Sequence, residues 1–204
     1  MKRAALLALA LPGCLSYGSH LTPYSTPQGE QEAHASTDVL VVDRGVGAQS
    51  LGQVEVGLRR GLTQDLDIGA RLYLAGAGAD IRWTVRRGTR WALAWVFGLS
   101  GGFVPVSNRD EDLAHYSLDQ SIILGGRPWA AFQWTFAGHA HSQLRQGAGK
   151  LRFVQVLGAS VGTSWMVDDN VWLGPVVGVF APIDPGREGR GPLSFRGGLN
   201  LRIE

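Results

Sequence analysis

Lysine is nearly missing from this chain of 204 residues: Lys2 and Lys150 stand against a large number of arginines. Charged residues of both signs reach only 18%, which is low for a soluble surface. Cysteine occurs once, at Cys14, so no internal disulfide can form. No apolar run approaches the ~20 residues of a membrane-spanning helix. No basic block or RNA-binding signature is present, which argues against a nucleic-acid partner. Gly76-Ala77-Gly78 lacks the lysine and the following helix of a phosphate loop, and nothing else in the chain calls for a cofactor. The sequence does contain 29 glycines, 45% apolar residues and enough length for one domain.

The stretch from Gln53 to Leu74 carries the pattern most clearly. Val54, Val56 and Leu58 alternate with Gln53, Glu55, Gly57 and Arg59; then Gly61-Leu62-Thr63-Gln64-Asp65 turns the chain. Leu66, Ile68, Ala70, Leu72 and Leu74 alternate with Asp67, Gly69, Arg71 and Tyr73. Strand side chains point alternately to opposite faces, so one face of this hairpin is apolar and the other bears charge and glycine.

The N-terminus has a different character. Lys2 and Arg3 precede the apolar run Ala4 to Leu11, the layout of an export signal. Leu11-Pro12-Gly13-Cys14 resembles a bacterial lipobox, which implies lipidation of Cys14 and mature protein from that residue. The expected organisation is a signal peptide over 1–13, a tether over 14–28 and a barrel over 29–204. Without Lys2 and Arg3, 17 basic residues balance 17 acidic ones.

Taken in order, the alternation predicts ten strands and no helix. They fall at Gly29 to Ser36, Gln53 to Arg59, Leu66 to Leu74, Ala79 to Arg86, Arg90 to Phe103, Tyr116 to Gly125, Trp129 to His141, Leu151 to Met166, Val171 to Phe180 and Leu193 to Glu204. Turns near Thr63, Gly88, Arg127 and Asp169 are short, while loops near Gly45, Asp110, Gly147 and Gly186 are longer. An even number of strands and alternating short and long connections mark an all-β, closed, antiparallel up-and-down transmembrane barrel. In such barrels the short turns and the N-terminus face the periplasm.

Three features place the apolar face outward. The bulky residues share that face, while the other is mostly Gly, Ala and Ser with scattered charge. The charges on the second face come in both signs: Glu55, Arg59, Asp67, Arg71, Asp80, Arg82, Arg86, Asp119, Arg196 and Arg202. Pairing across strands would satisfy them in a narrow lumen. Aromatics also gather at strand ends, as in interfacial girdles, although Trp129, Tyr73 and Phe180 have the parity of the lumen face. The hairpin EVGLRRGLTQDLDIGARLYL resembles those of Gram-negative outer-membrane β-barrel proteins, and the pattern extends over most of the mature chain. That resemblance implies an outer-membrane barrel. Such chains often end in an aromatic residue, whereas this one ends Ile203-Glu204.

Candidate chemistry centres on His139-Ala140-His141-Ser142, where two histidines at period two lie beside a predicted loop. They have the make-up of a metal site, or of a general base for Ser142. Outer-membrane lipid A deacylases pair a His with a Ser, and omptin proteases pair an Asp with a His; neither motif is matched here residue for residue. Asn108, Asp110, Glu111 and Asp112 faintly resemble a calcium loop, but Leu113 occupies the position that needs glycine. Glu30 and Glu32 share a strand face without a predicted pocket, so they carry little weight as a carboxylate pair. The function expected is non-enzymatic: a structural barrel, or a narrow passive pore for small solutes, in contact with outer-membrane lipids. The alternatives are a rim enzyme acting on lipid or peptide through His139, His141 and Ser142, and a soluble lipid-tethered barrel with an apolar ligand inside.

Overall fold

Strands with one apolar and one polar face must pair every backbone N–H and C=O, and closing the sheet on itself leaves no edge to satisfy. That is the solution adopted here. The computed structural model describes residues 22–43, 48–74, 76–104, 113–147, 150–183 and 193–204. Ten strands form: β1 Gln31–Asp43, β2 Ala48–Gly61, β3 Leu66–Tyr73, β4 Gly76–Arg87, β5 Trp91–Val104, β6 Leu113–Trp129, β7 Phe132–Gly147, β8 Lys150–Asp168, β9 Val171–Ile183 and β10 Ser194–Ile203. Each pairs antiparallel with its sequence neighbours, and β1 pairs with β10 from Ala33↔Ile203 to Val42↔Ser194 to close the barrel.

The polarity is inverted relative to a soluble protein. Leu58, Leu72 and Leu99 are each more than 60% exposed on the outer wall, and Phe136 and Val177 more than half. Glu55, Asp67 and Arg82 are fully buried inside it. A soluble monomer seldom exposes one apolar patch of more than a few hundred Å²; here apolar side chains are exposed on all ten strands. The lumen is itself two-sided. Charged groups fill the side of β1 to β4, while Trp172, Val176 and Phe180 of β9 with Val154 and Val156 of β8 supply an apolar inner wall. Val96, Ile123 and Ala137 pack as a small cluster between β5, β6 and β7.

Several boundaries differ from the pattern-based expectation. The connection expected from Thr37 to Leu51, within which Val39 to Val42 reads as a candidate strand extension, is largely strand, with Asp43 already opposite Ala48. Gly76 to Gly78 belong to β4, and residues 142–147 and Lys150 belong to β7 and β8, so the connection near Gly147 is short. Gly126-Arg127-Pro128 does not turn the chain. It lies within β6 at a register shift between Gly126 and Trp129, and the hairpin turns at Ala130-Ala131. A bulge accepts a proline, whose missing N–H is not needed there. A second bulge falls between Thr84 and Arg86 and a third between Met166 and Asp168. Asn170 takes the left-handed conformation, φ 66°, in the tight β8–β9 turn, where asparagine is tolerated.

The segment expected as a free tether is packed over residues 22–28. It crosses the short-turn end of the lumen, with Thr22, Pro23, Ser25 and Thr26 buried, and Gln28 bridges to Gly61. The physical reason lies in the lumen: the Thr22 and Pro23 carbonyls and the Thr22 and Thr26 hydroxyls of this segment accept from Arg82, Thr84 and Gln133.

Candidate functional site

The inward positions of β2, β3 and β4 bring Arg59, Asp67, Asp80 and Arg82 to one level of the lumen, because neighbouring residues on those strands are register partners (Asp67↔Arg82, Gly69↔Asp80). Arg59 donates to Asp67 Oδ1 from Nε at 2.9 Å and from Nη2 at 2.7 Å, and reaches Asp80 Oδ1 at 2.5 Å. Arg82 donates from Nε to Asp67 Oδ2 at 2.8 Å, and its Nη2 lies 3.7 Å from Glu32. Arg71 links Asp80 (3.2 Å) to Asp119 (2.9 Å). Asp119 is the node of the next level, where it also accepts from Ser100 at 2.8 Å and Ser117 at 2.5 Å and pairs with His141 Nδ1 at 2.8 Å. Towards the other end Arg196 bonds Asp38, and His34 Nε2 lies 3.7 Å from Glu55. Pairing of this kind is what confined charge demands.

The plug completes the level nearest the short turns. The Thr26 N–H donates to Asp67 Oδ2 at 2.9 Å, and Arg82 donates to the Thr22 carbonyl at 3.0 Å and to Thr26 Oγ1 at 3.2 Å. Thr84 Oγ1 donates to the Pro23 carbonyl at 2.9 Å, and Gln133 Nε2 donates to Thr22 Oγ1 at 2.6 Å. Beside it stands a ladder of alternating cations and rings. The Arg127 guanidinium lies 4.7 Å from the Tyr24 ring and 4.9 Å from the Trp172 ring, and the Arg202 guanidinium lies 5.0 Å from that same Trp172 ring. Glu204 ties the ladder together, accepting from Arg127 at 2.9 Å and Trp172 Nε1 at 3.1 Å and forming an ion pair with Arg202 at 3.0 Å. Burial raises the Tyr24 phenol above its usual value, with Arg127 opposing that shift. Glu204 thus braces the ladder on which Tyr24 packs.

Of the charges assigned to the lumen, Glu55, Arg59, Asp67, Arg71, Asp80, Arg82, Asp119, Arg196 and Arg202 are buried inside it. Arg86 is not. The bulge after Thr84 reverses its parity, and Arg86 stands exposed, with its guanidinium 5.6 Å from the Trp91 ring. Trp129 is corrected the same way: the β6 bulge turns it outward, 69% exposed. Tyr73 and Phe180 do point inward.

The histidine cluster separates into two units. His139 is held between Ser121 Oγ at 2.8 Å and Ser160 Oγ at 2.7 Å. Its ring stacks on His141 with centroids 5.9 Å apart, and His141 pairs with Asp119. Ser142 follows His141 on the opposite face of β7, since successive strand residues alternate, so the expected histidine–Ser142 constellation does not assemble. Both histidines are more than 90% buried and neither faces the rim. Among the described residues no three His, Cys, Asp or Glu side chains converge to hold a metal. Glu30 is exposed just outside β1, apart from the buried Glu32. Cys14, Asn108, Asp110, Glu111 and Asp112 lie outside the described residues.

Two parts of this arrangement escaped sequence reading. The plug has the Pro, Ser and Thr content of a linker, and the same small hydroxyls also suit a buried polar crossing. The inward position of Trp172 was hidden because both faces of β9 are apolar.

No family model matches the chain, and no curated protein sequence matches it. Solved structures similar to it include Neisserial surface protein A, at 12% identity and TM-score 0.46, covering 85% of this chain and 96% of that one. They also include the outer membrane protease OmpT from Escherichia coli, at 9% identity and TM-score 0.44, covering 91% and 99%. The translocator domain of autotransporter NalP from Neisseria meningitidis matches at 12% identity and TM-score 0.46, covering 99% and 96%.

Proposed function

We propose that this chain is an integral barrel of the Gram-negative outer membrane with a self-sealed lumen, and that its role is structural rather than catalytic or conductive. The observation that carries this reading is the inverted polarity: a closed ladder with apolar side chains outward and paired charges inward. Only an apolar surround makes that distribution favourable. The sealed lumen favours the structural reading over the narrow pore. The charge network spans the lumen from Arg59 to Asp119, and residues 22–28 lie across one end. An apolar ligand inside the barrel is disfavoured by the same network.

In this reading the short turns face the periplasm. A lipid on Cys14 then reaches the inner leaflet, because the seven residues 15–21 span up to about 25 Å when extended. The test is membrane fractionation, then comparison of unboiled and boiled samples by gel, then conductance in planar bilayers. Outer-membrane location, a heat-dependent mobility shift and no channel steps are expected. A carbonate-extractable protein with no shift would overturn the membrane reading; stable ohmic channels would overturn the sealed lumen.

A further inference from the structure

The outer wall is not evenly convex. Leu58, Ala70, Ala79 and Leu99 are successive cross-strand partners on β2, β3, β4 and β5. Two alanines between two leucines leave a dent, and a groove of about 740 Å³ opens there, its apolar lining supplied by Leu58, Ile68, Ile81, Phe97 and Leu99 with the two alanines. That volume lies in the range of small-molecule sites. The adjoining row toward the short turns runs Gln31, Arg60, Ile68, Ile81 and Phe97. Gln31 and Arg60 are thus the exposed polar residues on the groove's lip, and both lie at one end of it. Arg60 has no ion-pair partner among the described residues. Arg87, the last residue of β4, reaches the β2–β3 turn, where its Nη2 donates to the Gln64 carbonyl at 2.7 Å. The acids nearby are Glu30, exposed beside Gln31, and Asp65, 3.7 Å from Arg87. Trp83 stands two residues from Ile81 on the short-turn side, half-exposed, as side chains at a membrane interface do.

A smooth apolar wall is covered by disordered acyl chains, none held in one place. A dent with a cation at one lip selects an amphiphile: the apolar body fills the dent and an anionic head meets the cation. We infer that the β2–β5 groove holds one anionic glycerophospholipid of the periplasmic leaflet, its acyl chain over Ala70 and Ala79 and its phosphate on Arg60. This inference rests on the outer-membrane reading with periplasmic short turns.

The test is native mass spectrometry of the detergent-solubilised full chain, titrated with phosphatidylglycerol or phosphatidylethanolamine, with the heat-dependent gel shift run on every sample. Phosphatidylglycerol should bind one per barrel and about fivefold tighter than phosphatidylethanolamine, as one basic residue near an anionic lipid provides. Ala79→Phe, which fills the dent, should abolish the bound lipid. Ala159→Phe, on the outer wall of β8, should leave it unchanged, and Arg60→Gln should erase the preference between headgroups. Equal binding by Ala79→Phe and wild type would overturn the site, and so would equal affinity for the two lipids. Mass that survives denaturation belongs to the lipid on Cys14 and is subtracted; wild-type protein that holds no further lipid released by denaturation would also overturn the site. Loss of the gel shift in wild type would instead sink the membrane reading, independently of lipid binding.

Discussion

Asp67 joins the strands to the N-terminal segment. It is fully buried, and it accepts from Arg59, Arg82 and the Thr26 N–H. Removing one member of a buried pair strands the partner's charge, which costs about 3–5 kcal/mol. Asp67→Ala therefore leaves two guanidinium groups short of an acceptor and should lower barrel stability by that amount in urea unfolding from lipid vesicles. Asp67→Asn, which keeps an acceptor oxygen, should lose less; an Asp67→Ala barrel as stable as wild type would show that water replaces the carboxylate. At this scale much was legible from parity alone. Opposite-face alternation put nine of the charges inside, but it failed at Arg86 and Trp129. Each follows a bulge, and one inserted residue reverses every later side chain until the strand ends. Neither bulge has a signature that alternation detects, since Thr84 to Arg87 and Gly126 to Trp129 read as ordinary strand end and ordinary turn.

Strands and plug were legible to different degrees. Ten strands follow from the pattern, because an apolar outer face repeats in every segment. Their ends do not, because beyond the apolar belt a strand no longer needs alternating polarity: β7 runs on from Ser142 to Gly147, and Gly147 pairs with Lys150 of β8. The plug was missed because its cohesion comes from hydroxyls and carbonyls meeting groups some 60 to 110 residues away in sequence. Its fit depends on a bare backbone at Gly61, where a Cβ would lie 2.0 Å from the Pro27 carbonyl oxygen and 2.4 Å from that of Thr26. Gly61→Val should therefore push the segment out of the lumen mouth. Limited chymotrypsin digestion in detergent reads this at Tyr24, which the wild-type barrel should protect and the variant should expose. Gly197→Ala is the control, since its added Cβ meets nothing within 4 Å. Equal cleavage at Tyr24 in wild type and Gly61→Val would mean the plug already leaves the mouth readily.

The proposed seal has two parts, and they differ in kind. The charge network belongs to the strands: Arg59, Asp80, Arg71 and Asp119 are carried by β2, β4, β3 and β6 and remain wherever the barrel forms. The plug belongs to the N-terminal segment and is fastened by the Tyr24, Arg127, Trp172 and Arg202 ladder under Glu204. Deleting residues 22–28 should therefore leave the ten-stranded ladder intact, because every strand pairing runs between β1 and β10 without it. It should cost stability, since Arg82, Thr84 and Gln133 lose partners that each contribute about 1 kcal/mol, or more where the donor is charged. The shortened chain should still shift on heating and still pass no current, because the salt-bridged level above the plug stays filled. Bilayer recordings of this deletion separate the two closures. Continued silence assigns the barrier to the strand-borne charges. Steady conductance would make residues 22–28 the only seal, and the lumen charges would then be the lining of a pore that the N-terminal segment stops.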